Sequence, residues 1–359
     1  MRRALEIARA ATREAGPRPG VGAVVLDSSG TAVGEGATRR TPGPHAEVVA
    51  LAAAGGRARG GTVVVTLEPC SHTGATGPCT DALVAAGVVR VVYAVADPNP
   101  VAAGGGAVLQ AAGVSVEAGL LGPEAERVHE AWLLGVRRER PFVTWKYAAS
   151  LDGQVAAADG SSRWVTSEQS RADVHQLRSQ VDAVVVGRGT VLADDPHLTA
   201  RPGGVAVGPA DQPLRVVLDS LARTHPASRV LDDAAATLVV VSEEAPPDRV
   251  AALRERAEVL VTKHTERGVH LPDLLGELHA RGVVHLLLEG GPTLAGSFAA
   301  AGLVDRVVGY LAPVLLGSGR FPALTGAGLA VIGDAVRLRL DEVVRIGPDL
   351  RLTARPEEG

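Results

Sequence analysis

Three side chains with metal-ligand chemistry lie in the N-terminal part of the chain. They are His45 in Pro44-His45-Ala46-Glu47-Val48, Cys70 at the end of Thr66-Leu67-Glu68-Pro69-Cys70, and Cys79. One imidazole and two thiolates suit tetrahedral zinc with one position left for water. Glu47 follows His45 by two residues, about 200° around a regular helix. The pair can therefore serve one site only in an irregular first helical turn, and Pro44 suits such an entry. A carboxylate beside an activated water can take its proton and return it to a leaving amine, as hydrolytic deamination requires. An H-x-E element followed by a P-C element is the signature of zinc deaminases. That signature places two residues between its cysteines, whereas eight intervene here, 71–78. Two plainer readings are a structural zinc knuckle and a pair of unrelated buried thiols. His72 is a further ligand candidate, with a loop hydrogen bond as its plainer role.

The other half carries a second feature. Residues 283–288 read as a buried strand, which Glu289-Gly290-Gly291-Pro292-Thr293 turns into a helix. Two glycines allow close backbone approach, and the free N–H groups of a helix start favour an anion such as a dinucleotide phosphate. Ordinary turn chemistry produces the same pattern. No G-x-G-x-x-G follows a first strand, so a Rossmann unit is not indicated.

The elements that must hold these groups alternate. The spacing predicts a helix over 2–15, a hairpin of strands 21–26 and 32–36, a helix over 47–54 stopped by Gly55-Gly56, a strand over 62–67, a helix over 81–86 and a strand over 88–95. One more helix and strand lead to a helix over about 123–138. Charges followed by a proline at Arg137-Arg138-Glu139-Arg140-Pro141 mark a boundary between domains 1–139 and 140–359. The second domain opens with strand 141–149, continues with strands at 183–186, 215–218, 237–241 and 283–288, and is strand-rich after Leu303. Residues 201–212, rich in Gly and Pro, read as a surface loop. Short β-branched runs between helices indicate α/β layers with buried strands.

Composition narrows the partners. Of 359 residues, 46% are apolar and 21% charged, which excludes a disordered polymer. A net charge of −4 with three Trp, three Tyr and three Phe lacks the basic footprint and stacking platforms of a nucleic-acid binder. No window reaches the roughly 18 apolar residues of a bilayer span. Glu6, Arg9, Arg13 and Glu14 occupy the place of a secretory apolar region, so a cytoplasmic protein is expected. Two cysteines in a large chain from a reducing compartment point to metal or catalysis before a disulfide.

Together, the Pro44 to Val48 string, the run Thr66-Leu67-Glu68-Pro69-Cys70-Ser71-His72 with its long gap to Cys79, and Asp97-Pro98-Asn99-Pro100 resemble the bifunctional riboflavin-biosynthesis deaminase/reductase family. Lys146-Tyr147-Ala148-Ala149-Ser150-Leu151-Asp152-Gly153, Ser162-Arg163-Trp164-Val165-Thr166-Ser167, Thr190-Val191-Leu192-Ala193-Asp194-Asp195-Pro196 and Glu289-Gly290-Gly291-Pro292-Thr293-Leu294 are similar to that family's reductase motifs, in the same order. The resemblance covers nearly the whole chain. It implies a cytidine-deaminase-like α/β/α domain followed by a dihydrofolate-reductase-like α/β domain. The first would hydrolyse the 2-amino group of a diaminopyrimidinone bearing a ribosylamino 5-phosphate, with His45, Cys70 and Cys79 on zinc and Glu47 moving the proton. The second would use NADPH to reduce the ribosyl group to ribityl.

The resemblance further implies cofactor contacts from Ala148, Trp164, Thr190, Asp194, Ser220 and the run Gly291, Pro292, Thr293, Leu294, Ala295, Gly296 and Ser297. It implies substrate contacts from Ser162, Arg178, Leu198, Arg201 and Glu289. Taken without it, Arg178 reads as an exposed helix charge and Trp164 as core packing. Lys146 is a candidate proton donor or substrate anchor. Arg188 is a candidate contact for a cofactor 2′-phosphate, with plain surface charge as the alternative. The chain departs from the family pattern at Arg18, where asparagine is common, at Ala75, where arginine is usual, and at Gly77, where proline is usual. A small phosphorylated pyrimidine is the expected partner, without nucleic acid or membrane, and a homo-oligomer is expected. Two alternatives are a deaminase of another nucleotide and a reductase with a catalytically silent zinc domain.

Overall fold

The computed structural model describes residues 1–73, 77–317, 319–328 and 330–357. They belong to two compact units, Met1–Pro141 with Gly282–Val284, and Phe142–Arg281 with His285–Gly359.

In the first unit, α1 (Arg2–Ala15) buries Ala4, Leu5, Ala8, Ala11 and Ala15, a single stripe at helical spacing. Strands β1 (Gly22–Leu26), β2 (Ala32–Ala37), β3 (Thr62–Leu67), β4 (Arg90–Val95) and β5 (Ser115–Ala118) form a sheet in the order β2-β1-β3-β4-β5. β1 runs antiparallel to β2 and β3, while β3, β4 and β5 are parallel. The remaining helices are α2 (Ala46–Ala54), α3 (Cys79–Ala86), α4 (Gly105–Ala111) and α5 (Gly122–Arg138).

The sheet is covered on both faces. Gly22 lies under α1, whereas Gly36, paired with Ala23 on the opposite face, lies under α2. A Cβ on Gly36 would sit 2.4 Å from the Ala46 carbonyl oxygen, so only glycine lets α2 press this closely onto β2. That contact holds the first turn of α2, where the H-x-E element lies. In this unit two boundaries differ from expectation by two residues. Helix α3 starts at Cys79, so this cysteine is inside its first turn. The strand expected from Val88 begins at Arg90, because the Val88 N–H is drawn back to the Leu83 carbonyl in the left-handed Gly87 cap.

The second unit contains β6 (Phe142–Ser150), α6 (Glu168–Arg178), β7 (Ala183–Gly187), α7 (Arg188–Asp194), β8 (Leu214–Leu218), β9 (Thr237–Ser242), α8 (Pro247–Arg254) and β10 (Glu258–Thr262). It continues with the small hairpin β11 (His264–Thr265) and β12 (Gly268–Val269), then α9 (Leu271–Ala280), β13 (His285–Leu288), α10 (Pro292–Ala300), β14 (Arg306–Ala312), β15 (Leu338–Ile346) and β16 (Asp349–Pro356). The large sheet has the order β10-β9-β8-β7-β13-β6-β14-β16-β15. Pairing is parallel from β10 to β14 and antiparallel through β16 and β15, a mixed sheet. Ala183 to Val186 are wholly buried, as a strand covered on both faces must be.

Each unit also buries a histidine against a threonine. His129 Nε2 lies 3.0 Å from Thr66 Oγ1, and His285 Nε2 lies 2.9 Å from Thr144 Oγ1. Burial pushes His129 down to about 4 and His285 down to about 3, so both are neutral in the folded chain. An unfolded histidine titrates near 6.5. The stability each contributes is therefore intact above about pH 6.5 and is lost as pH falls toward the folded values. Urea unfolding at pH 7.5 and pH 5 should show a loss of about 2 kcal/mol per site, and His285→Gln should remove its share of that pH dependence. An unaltered dependence in the variant would show that His285 does not carry this linkage.

Candidate metal centre and reductase cavity

His45 is the N-cap of α2, with extended φ −74° and ψ 162°, while Glu47 is already helical. This break resolves the angular conflict of the H-x-E spacing. His45 Nδ1 lies 3.2 Å from Cys79 Sγ and 3.5 Å from Cys70 Sγ, and the Cys79 amide N is 3.5 Å from Cys70 Sγ. The three ligand atoms lie within 4.8 Å of one another, and both cysteines are free and buried. A hydrogen bond from Cys79 pulls Cys70 down to about 4, and the same bond pushes Cys79 up. Two close sulfurs sharing a proton with an imidazole beside them form a donor set that fits a divalent soft cation, which converts both to thiolates. His72 stands outside the group, and its buried Nδ1 has no partner among the described residues.

Glu47 is buried, and burial raises it to about 6. Glu68 acts differently: its carboxylate oxygens accept the amide hydrogens of Asp97 at 3.1 Å and Gly106 at 2.9 Å. Ser71, next to Cys70, donates from its amide to Ala102 and from its hydroxyl to Ala103. The segment from Asp97 to Gly106 is thereby fastened around Cys70. Glu68 stood in the sequence motif without a role, because its partners lie far along the chain. Arg18 donates to the carbonyls of Arg39 and Gly43, which secures the segment leading into Pro44-His45. Ala75 lies outside the described residues, and Gly77 is exposed.

The second unit encloses a cavity of about 1120 Å³. It brings together all five residues indicated for substrate: Ser162, Arg178, Leu198, Arg201 and Glu289. It also gathers Ala148, Trp164, Thr190, Asp194, Ser220, Gly291 to Leu294 and Ser297. Ala295 and Gly296 do not line it; both are buried in α10. Gly291 caps α10 without a side-chain bond, which leaves amide donors at the helix start. Arg188 is not among the lining residues, whereas Arg171, His175 and Arg267 are. Those three carried no motif signal; chain folding alone brings them to the cavity.

Neither plain reading of Arg178 and Trp164 describes their surroundings. The Arg178 side chain is 14% exposed and grips Glu289 with two bonds of 2.5 and 3.0 Å. Trp164 is 68% exposed, with the Arg171 guanidinium 4.4 Å from its ring centre. Lys146 lies inside β6, and its Nζ is 3.6 Å from Glu289. Burial works to raise Glu289, but Arg178 and Lys146 outweigh it and hold the carboxyl at about 2. Burial lowers Lys146.

A ligand triad with a buried carboxylate in one α/β/α unit, and a dinucleotide-sized cavity in a mixed α/β unit, define an enzyme with two activities, a zinc deaminase and a reductase. Residues 1–95 match the model of the cytidine and deoxycytidylate deaminase zinc-binding region, and residues 141–352 match that of the RibD C-terminal domain. The riboflavin biosynthesis protein RibD of Mycobacterium tuberculosis is 46% identical over 338 residues, 94% of this chain and 91% of that protein. That of Escherichia coli is 41% identical over 361 residues, 98% of this chain and 97% of its own. The solved structure of Acinetobacter baumannii RibD superposes with a TM-score of 0.86 at 34% identity, over 99% of this chain and 98% of that one. A diaminohydroxyphosphoribosylaminopyrimidine deaminase/5-amino-6-(5-phosphoribosylamino)uracil reductase from Thermotoga maritima gives 0.86 at 32% identity, over 99% and 97%. The chain belongs to the RibD family of riboflavin biosynthesis proteins, bifunctional deaminase/reductases with a zinc-binding domain and an NADPH-dependent domain.

Elemental analysis of the purified chain should find about one zinc equivalent, matching the one three-ligand donor set among the described residues. His45→Ala should lose the metal, while Glu47→Gln should keep it. Full zinc content in His45→Ala would remove His45 from the ligand set.

Proposed function

We propose that residues 1–139 release ammonia from a 2,5-diamino-6-ribosylamino-pyrimidinone 5′-phosphate, and that residues 140–359 reduce the ribosyl group of the product to ribityl. The observation that carries the first half is buried Glu47 in the first turn of the helix that His45 caps, beside the cluster of His45, Cys70 and Cys79. The two activities for which the Thermotoga maritima relative is named support both halves.

Zinc on His45, Cys70 and Cys79 supplies the Lewis acidity that lets water attack at neutral pH. Glu47 accepts the proton of the attacking water and passes it to the departing nitrogen. A carbon–oxygen bond forms, the carbon–nitrogen bond breaks, and ammonia leaves. Burial keeps Glu47 near the pH at which it must exchange that proton in both directions.

NADPH held in the cavity of the second unit would supply the hydride that the ribosyl carbon attached to nitrogen needs. The ring oxygen leaving that carbon needs a proton, and Lys146 is the buried ammonium beside the site that can give it. Glu289, held ionised, accepts hydrogen bonds from substrate hydroxyl or amine groups. Arg201, without a carboxylate partner among the described residues, offers a fork to the substrate phosphate. The remaining expected contacts that line the cavity, Ser162, Leu198, Ala148, Trp164, Thr190, Asp194, Ser220, Gly291 to Leu294 and Ser297, belong to the same proposal. Two free thiols gathered at one site suit a reducing compartment, so the proposal places the enzyme in the cytoplasm.

Ammonia release and NADPH oxidation should be followed separately. Glu47→Gln should reduce the first by about 10²-fold or more and leave the second unchanged on deaminated substrate. Lys146→Met should reduce NADPH oxidation by a similar factor, about 10²-fold, with ammonia release intact. Persisting ammonia release in Glu47→Gln, or parental reductase turnover in Lys146→Met, removes that residue from its assigned role.

A further inference from the structure

Strand order gives the reductase cavity a direction. Lys146 on β6 and Glu289 after β13 lie on adjacent paired strands. Beyond β13 come β7 and then β8, whose end carries Leu218 and Ser220 into the cavity. Strands lie about 4.8 Å apart, so the ends of β6 and β8 are separated by three spacings, about 14 Å. The open start of α10 follows β13, between these extremes. A dinucleotide with its phosphates at α10 and its reactive ring beside Lys146 must send its adenosine half toward β8. This step rests on the reductase reading above.

At that end the β11–β12 hairpin stands directly on Ser220. Gly268 has φ +101°, and a Cβ there would lie 2.4 Å from Ser220 Oγ. Arg267, next to it in the hairpin turn, is thereby held at the same rim of the cavity. Its Nη1 donates to the Gly326 carbonyl at 2.7 Å, and it has no carboxylate partner among the described residues. Other arginines of the cavity are engaged: Arg178 with Glu289, Arg163 with Asp194, Arg229 with Asp195, and Arg171 over Trp164. Arg201 and Arg178 both act on His175, which puts Arg201 on the Glu289 side of the cavity.

We propose that Arg267, with the Ser220 hydroxyl beneath it, receives the 2′-phosphate of the adenosine ribose and sets the preference for NADPH over NADH. A guanidinium fork and a hydroxyl match the oxygens of a phosphate monoester, and the single Gly326 bond leaves further N–H donors available. Arg188, the sequence-level candidate for this contact, does not line the cavity.

The test is calorimetric titration of the full chain with adenosine 2′,5′-bisphosphate and with adenosine 5′-monophosphate, alongside the phosphorus resonance of the 2′-phosphate. The parent should bind the bisphosphate more tightly and shift its 2′-phosphate resonance. Arg267→Gln should weaken the bisphosphate about 10- to 100-fold, leave the monophosphate within about twofold, and abolish the resonance shift. Arg267→Lys should recover part of the loss. Equal weakening of both ligands assigns Arg267 to holding the hairpin and overturns the proposal, as does an unchanged preference in Arg267→Gln. If the parent binds neither ligand nor NADPH, the reductase reading itself fails together with this one.

Discussion

Convergence of one imidazole and two sulfurs within 4.8 Å is the constraint around which the first unit is organised. Each ligand stands at the terminus of an element. His45 caps α2, Cys70 follows β3, and Cys79 opens α3. Helix starts favour negative charge, so the first turn of α3 offsets part of the cost of a thiolate at Cys79. Everything else nearby maintains that convergence. Gly36 lets α2 lie against the sheet, Glu68 binds the 97–106 segment around Cys70, and Arg18 secures the approach to His45.

The second unit meets a different electrostatic requirement. Glu289, Arg178 and Lys146 are removed from water together, and two cations against one carboxylate leave an excess positive charge at the cavity. Buried charges of this kind stabilise little by themselves, since desolvation offsets their attraction. Their retention is explained by the cavity, where a residual cation meets a phosphorylated substrate and an ionised carboxylate holds a fixed geometry. The sheet supplies this geometry from adjacent parallel strands whose ends open on the same side.

The cavity walls depend on another arginine that never reaches a ligand. Arg215, wholly buried on β8, donates to the carbonyls of His197, Arg229, Asp232 and Ala235 and to the Asp232 carboxylate. It ties the loops carrying His197 and Arg229 to the sheet. In the sequence it is merely the first residue of a short apolar run. Its function as a central anchor follows from carbonyls 14 to 20 residues away turning back onto it.

Local physics made much of the chain readable in one dimension. Apolar periodicity marked α1 and the β-branched runs marked the buried strands, because both patterns depend on near neighbours. The ligand set was readable because zinc demands particular atoms, and the H-x-E spacing itself required a helix start at His45. Tertiary structure decided what depends on distant approach. It turned Arg178 from an apparent surface charge into the partner of Glu289, 111 residues away, and left Trp164 open to solvent under Arg171. It kept Arg188 off the cavity and brought Arg267 to it. Sequence spacing specifies which atoms are present and which local turn they occupy; burial and pairing over long separations exist only after the chain has closed on itself.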